Sequence, residues 1–203
     1  VKNYLILVLF LLTGNQVRAQ EQVLDIVAGA IYPLRTDKFA DNATPKVGLN
    51  FGLLYRIKNE KGIVWSAGAN YQLLQNKKKV LVNNKEAVEK EKFELFNLNV
   101  SPLVWLVGKK KRGFIEIGGF ANYLLHEESE LQSNLVNNTK KLRRLSLGPR
   151  IGVGLQLGET MRKSVIIGLH NDYGAISIGK NPSGGKAIPL TFNTISLYLG
   201  LGI

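Results

Sequence analysis

The sequence predicts an all-β protein: an eight-stranded antiparallel up-and-down transmembrane barrel preceded by a signal peptide. Three observations carry that prediction. From Val23 onward apolar residues recur at every second position, the period of a strand and not of a helix. The opposite face of those strands is made of Gly, Asn, Ser and Gln rather than Lys and Glu. The connections between strands alternate long and short along the whole chain.

The chain has 203 residues, 45% hydrophobic and 21% charged, which suits one domain with a sizeable core. It has no Cys, so a zinc ribbon, Fe–S cluster, thiol enzyme or disulfide scaffold is excluded. Two His and one Met leave little for soft-metal chemistry, and no cofactor is expected. The formal charge of +12 suggests an anionic partner without naming it.

The elements follow in order. Val1-Lys2-Asn3 is a short basic segment, and Tyr4 to Leu12 is an apolar run too short for a membrane helix but suited to a signal peptide. Gly14 breaks the run, and Val17-Arg18-Ala19 before Gln20 has the small-residue character of a cleavage site. Residues 1–19 are therefore expected to be a signal peptide and 20–203 the barrel domain. Removing those 19 residues and their two cations leaves 184 residues with a charge of +10. The first strand spans Val23–Leu34. The second, Lys46–Lys58, is the clearest: Val47, Leu49, Phe51, Leu53, Tyr55 and Ile57 share one face, and Gly48, Asn50, Gly52 and Arg56 the other. The remaining strands are Ile63–Leu74, Phe93–Val107 (with Pro102 inside it), Phe114–Leu125, Leu145–Leu157, Val165–Tyr173 and Thr194–Ile203.

The connections Arg35–Pro45, Asn59–Gly62, Gln75–Lys92, Gly108–Gly113, His126–Lys141, Gly158–Lys163 and Gly179–Pro189 have 11, 4, 18, 6, 16, 6 and 11 residues. Outer-membrane barrels alternate short periplasmic turns with long external loops in this way. Gln75–Lys92 and His126–Lys141 are expected to be the outward loops. Within them Val80-Leu81-Val82 and Leu135-Val136, each followed by Asn-Asn, are placed to extend hairpins above the membrane.

A soluble barrel would turn its apolar face inward and set Lys and Glu outside. Here 12 of the 21 glycines lie on the polar face, and Gly119 alone falls on the apolar one. Glycine is useful where backbones crowd, as inside a narrow barrel, so the apolar face belongs in lipid. Tyr32, Tyr71, Tyr123 and Tyr173 then form one aromatic girdle on that face, and Tyr55 and Trp65 the other. The expected location is the bacterial outer membrane, with the signal peptide removed.

Asn97-Leu-Asn-Val-Ser-Pro-Leu-Val-Trp105, a basic turn, and Gly113-Phe-Ile-Glu-Ile-Gly-Gly-Phe-Ala-Asn-Tyr123 resemble the central hairpin of the PorT-like outer-membrane β-barrel family of Bacteroidetes. Arg144-Leu-Ser-Leu-Gly-Pro-Arg-Ile-Gly-Val-Gly154, His170-Asn-Asp-Tyr-Gly174 and Ile195-Ser-Leu-Tyr-Leu-Gly-Leu-Gly-Ile203 resemble its last three strands. The resemblance implies location and fold. For the namesake branch it also implies type IX secretion.

Lipid A-modifying enzymes also occur as eight-stranded barrels, and they would need a nucleophile beside a base. His126-Glu127-Glu128-Ser129 has the residue types, but His126 and Ser129 are three apart and fall on opposite faces of a strand. His170 and Asp172 share the inward face, where an imidazole in a lumen hydrogen-bond network is expected. Nucleic acid is not expected, because Lys77-Lys78-Lys79, Lys109-Lys110-Lys111-Arg112 and Lys140-Lys141-Leu142-Arg143-Arg144 lack interleaved aromatics. Lipid and lipopolysaccharide phosphates suit them better. The long loops offer a surface for other envelope proteins.

Charges inside so narrow a barrel must be paired. Glu116 and Arg150 are equidistant from residue 133, Arg150 and Asp172 from 161, and Asp25 and Arg56 from 40.5, each centre lying in a connection. A lumen cluster of Glu116, Arg150 and Asp172 with His170 nearby is expected, and a second pair Asp25–Arg56 below it. Trp105 is expected to close the floor. The sequence thus reads as a monomeric, non-enzymatic barrel with a plugged lumen and a structural or interaction role.

Overall fold

In a computed structural model, the described residues are 21–35, 43–58, 63–82, 85–105, 111–131, 134–158, 160–178 and 191–203. The expected signal peptide, and the greater part of several connections, lie outside them. The strands are β1 (Glu21–Arg35), β2 (Ala43–Lys58), β3 (Val64–Val82), β4 (Lys85–Trp105), β5 (Lys111–Leu131), β6 (Asn134–Asn137), β7 (Leu145–Leu157), β8 (Val165–Tyr173), β9 (Ile176–Ile178) and β10 (Phe192–Gly202). A 3-10 turn, Thr139–Lys141, follows β6.

Eight of these strands form a ring. Each of β1 to β5 pairs antiparallel with the next; β5 then pairs with β7, β7 with β8 and β8 with β10. β10 returns to β1 from Asp25↔Gly202 to Arg35↔Phe192, which closes the sheet and removes its edges. The alternation of the sequence dictates the two faces. Ile117, Ile151, Val153 and Leu199 project outward, each more than half exposed, while Asn97, Ser101, Gln156 and Ser196 are fully buried inside. This inside-out arrangement is that of a chain solvated by lipid.

Three inward glycines, Gly148, Gly154 and Gly168, make room for the rings of Phe120, Phe114 and Tyr198. A Cβ at Gly168 would lie 2.3 Å from the Tyr198 ring, whereas one at outward Gly119 would meet nothing nearer than 3.6 Å.

The segments expected as the two longest loops are largely strand. β3 and β4 stay paired to Val82↔Lys85, and β5 runs on to Leu131 and pairs with β6 from Glu128↔Asn137 to Leu131↔Asn134. Beyond the bilayer both faces of a hairpin meet water. Charged residues then occupy both faces and the period-two hydrophobic signal disappears, although the backbone pairing continues.

Candidate functional site

The lumen is stacked in layers. At the turn end Val23, Val64, Leu103, Phe114, Met161 and Ile166 belong to one buried apolar cluster. At the loop end Ile31, Leu74, Phe93, Leu95, Leu124, Leu142 and Phe192 form another. Between the two ends the inward positions carry Asn, Ser, His and the buried charges.

Arg56 sits low in the barrel and is fully buried. Its Nε donates to Asp25 Oδ2 at 2.6 Å and its Nη2 to Asp25 Oδ1 at 2.8 Å, a bidentate pair. Nη1 donates to Gln156 Oε1 at 2.9 Å. Asp25 is directly opposite Leu54, two residues short of Arg56, so the long guanidinium stem spans a diagonal rather than a direct pair.

Arg150 anchors the middle layer. It stands directly opposite Asp172, with Nε–Oδ1 at 2.5 Å and Nη2–Oδ2 at 2.6 Å. Nη2 also donates to Asn97 Oδ1 at 3.3 Å, and Nη1 lies 3.7 Å from Glu116 Oε1. Glu116 is opposite Gly152, not Arg150, because β5 and β7 are set two residues off the register expected from the chain midpoint. Asn97 passes the network on, donating to Asn122 Oδ1 at 2.6 Å and accepting from Asn99 Nδ2 at 3.0 Å.

His170 is buried in the same layer, but it is not part of a side-chain hydrogen-bond network. Neither ring nitrogen has a hydrogen-bond partner among the described residues, and the ring packs 5.3 Å from that of Tyr198. Asp172, its neighbour on the same face, is taken by Arg150. Ser196 stands opposite His170, yet its hydroxyl makes no hydrogen bond to the described residues. A cavity of about 20 Å³ lined by Asn50, Asn70, Asn99, Glu116, Arg150 and His170 has room for about one water. The arrangement can hold the wall together and fill the cross-section at this level of the barrel. His126 and Ser129 point to opposite faces, His126 contacting Asn137 Nδ2 at 3.2 Å and Ser129 Oγ accepting from Asn138 Nδ2 at 3.2 Å.

The side chain of Trp105, expected to close the floor, lies outside the described residues. Met161 occupies the floor. The β7–β8 turn folds under the barrel, with Gly158 at φ +136° starting it, Met161 N donating to Glu21 Oε1, and Gly202 N donating to Ser164 O at 3.2 Å. A lone methionine in a polar turn carries no periodic signal, so this placement was not legible from the residue pattern.

On the outer surface Tyr32, Tyr55, Trp65, Tyr123 and Tyr173 are 40–54% exposed, and Tyr71 is half-buried. Phe51 and Phe96 complete one cross-strand row with Tyr71 and Tyr123, and the Phe51 and Tyr71 rings are 5.1 Å apart. The hydroxyls find polar partners: Tyr55 donates to Gln22 Oε1 at 2.8 Å, and Tyr123 accepts from Arg144 Nη1 at 3.3 Å.

Among solved structures the chain is similar to neisserial surface protein A, with 11% identity over 89% of this chain and 97% of that one and a TM-score of 0.49. It is similar to Ail of Yersinia pestis, with 13% identity over 91% and 100% and a TM-score of 0.45. It is also similar to the N-terminal β-barrel domain of Pseudomonas aeruginosa OprF, with 13% identity over 91% and 99% and a TM-score of 0.45. No curated protein matches it. The family model of the outer membrane protein beta-barrel domain matches residues 15–178, across most of the ring just described. The chain belongs to the outer membrane protein beta-barrel domain family.

Proposed function

We propose that this protein is a closed, non-conducting outer-membrane barrel with a structural or interaction role in the cell envelope, and not an enzyme. The observation that supports this best is the filled lumen: two bidentate Arg–Asp pairs lie between apolar layers, and the cavity beside Arg150 holds about one water. A conducting barrel needs a continuous wet path, and this cross-section is taken up by side chains. Residues 1–19 act as the export signal and are removed. The hairpin β3–β4 and the sheet β5–β6 face outward and meet other envelope proteins. The alternative reading, an accessory component of a type IX-like secretion apparatus, rests on the resemblance of the central hairpin and closing strands to the PorT-like barrels.

The test is made on the purified full chain in planar bilayers. The expected result is no steady conductance above background, together with recovery from the outer-membrane fraction and a heat-dependent gel shift. Large, steady single-channel steps would refute the closed lumen. Recovery as a soluble periplasmic protein would refute the location.

A further inference from the structure

Between its apolar ends the lumen carries an odd charge. Among the described residues the buried ions at that depth are Asp25, Glu116 and Asp172 against Arg56 and Arg150. Arg56 and Asp25 form one closed pair, and Arg150 and Asp172 form another. Glu116 is the third carboxylate. Its cation contact among the described residues is Arg150 Nη1 at 3.7 Å, beyond hydrogen-bond range. Arg150 thus serves two carboxylates, and the layer holds one negative charge too many. A group this deeply buried needs a full counter-charge, because an isolated ion there is far too costly. His170 does not supply it, since neither ring nitrogen hydrogen-bonds a described carboxylate.

The cavity beside Glu116 is lined by Asn50, Asn70 and Asn99 together with Arg150 and His170. All three asparagines are at most 5% exposed, and the Oδ1 atom of each has no hydrogen-bond partner among the described residues. The amide of Asn99 cannot turn round. Its Nδ2 donates to Asn97 Oδ1, which also accepts from Arg150, so the oxygen of Asn99 is the free end. Gly52 and Gly68 make room for two of these heads. A Cβ at the first would lie 2.5 Å from Asn70 Oδ1, and one at the second 2.6 Å from Asn99 Nδ2.

Donor type, size and charge select one occupant. Unpaired amide oxygens and a carboxylate are the ligands that hard cations take. The volume of about 20 Å³ admits one body the size of a water, which is also the size of a dehydrated alkali ion. A single positive charge balances the layer, whereas a divalent ion would reverse its sign.

We propose that this cavity binds one alkali-metal cation, held by Glu116 and by the amide oxygens of Asn50, Asn70 and Asn99. The Arg150 network draws on β4, β5, β7 and β8. The ion brings β2 and β3 to the same centre through Asn50 and Asn70, and so ties the two halves of the wall across the lumen. Its role is structural. The apolar clusters at both ends lock it in as the barrel closes, so it adds a ligand to the closed lumen without opening a path through it.

The test is urea unfolding of the refolded full chain in micelles, with sodium or potassium chloride exchanged for N-methylglucamine chloride at constant ionic strength. For wild type, each tenfold rise of the alkali ion above its dissociation constant should raise the folded-to-unfolded ratio about tenfold. Glu116→Gln should abolish that dependence, and Asn70→Ala should move it to higher ion concentration. Asn137→Ala, at the loop end, should leave it unchanged. The rival counter-charge is a proton on Glu116, and infrared spectra of the wild type at neutral pH detect it even where the lumen variants fail to fold. The expected spectrum has no buried carboxylic-acid band. Such a band, or stability that responds to neither alkali ion, would overturn the proposal. An equal response in wild type and Glu116→Gln would also overturn it.

Discussion

Arg150 and Asp172 face each other directly across β7 and β8, and their side chains close in a two-bond fork at 2.5 and 2.6 Å, with both residues buried. Register and chemistry coincide here: the pairing that builds the wall also neutralises the charge inside it. Asn97 and Glu116 then bring β4 and β5 to the same guanidinium, so four strands meet on one side chain.

Removing that side chain leaves Asp172 and Glu116 without their cation. Arg150→Ala should cost about 3–5 kcal/mol, read from urea titration of refolding in detergent micelles. Arg150→Lys should recover only part of the loss, because an ammonium cannot reproduce the fork. A loss below about 1 kcal/mol for the alanine variant would contradict the stapling role.

Crowding at the inward glycines predicts an asymmetry between faces. Gly168→Ala puts a methyl group against the Tyr198 ring and should destabilise by about 1–3 kcal/mol. Gly119→Ala, whose Cβ would meet only Gly148 O at an ordinary 3.6 Å, should change stability by less than about 0.5 kcal/mol. The same titration decides it, and equal effects would mean that the faces are misassigned.

The floor depends on one tucked turn. Met161→Ala should cost about 2–5 kcal/mol, since the side chain is almost fully buried among apolar neighbours. Gly158→Ala should add strain at a positive φ and cost about 1 kcal/mol or more. Measured together with a protease digest, both variants should also expose the turn to cleavage. Wild-type stability in both would remove Met161 from the floor.

Orientation is open to a clean labelling experiment, because the chain has no native Cys. A Cys placed at Leu81 or Leu135, 74% and 66% exposed at the loop end, should react with an impermeant maleimide on intact cells. One at Lys163, at the turn end, should react only after lysis. The opposite pattern would invert the barrel.

The ring was legible in the order of the residues alone. Inside the bilayer, lipid on one side and a crowded lumen on the other force an alternation that no other environment imposes so strictly, and the run from Val47 to Ile57 shows it residue by residue. The same alternation placed Asp25, Arg56, Glu116, Arg150, His170 and Asp172 on one face, since a two-residue error of register leaves every side chain on its own side. That tolerance is also why register itself was out of reach. The β5–β7 connection contains β6 and a 3-10 turn, so its midpoint in the chain is not the midpoint of the pairing, and Glu116 comes to rest opposite Gly152. That Gln75–Lys92 is a paired hairpin emerges only in the folded molecule, because water on both faces erases the hydrophobic period. Only the tertiary structure put Met161 under the lumen, because a turn's packing depends on what it meets across the barrel and not on its neighbours along the chain.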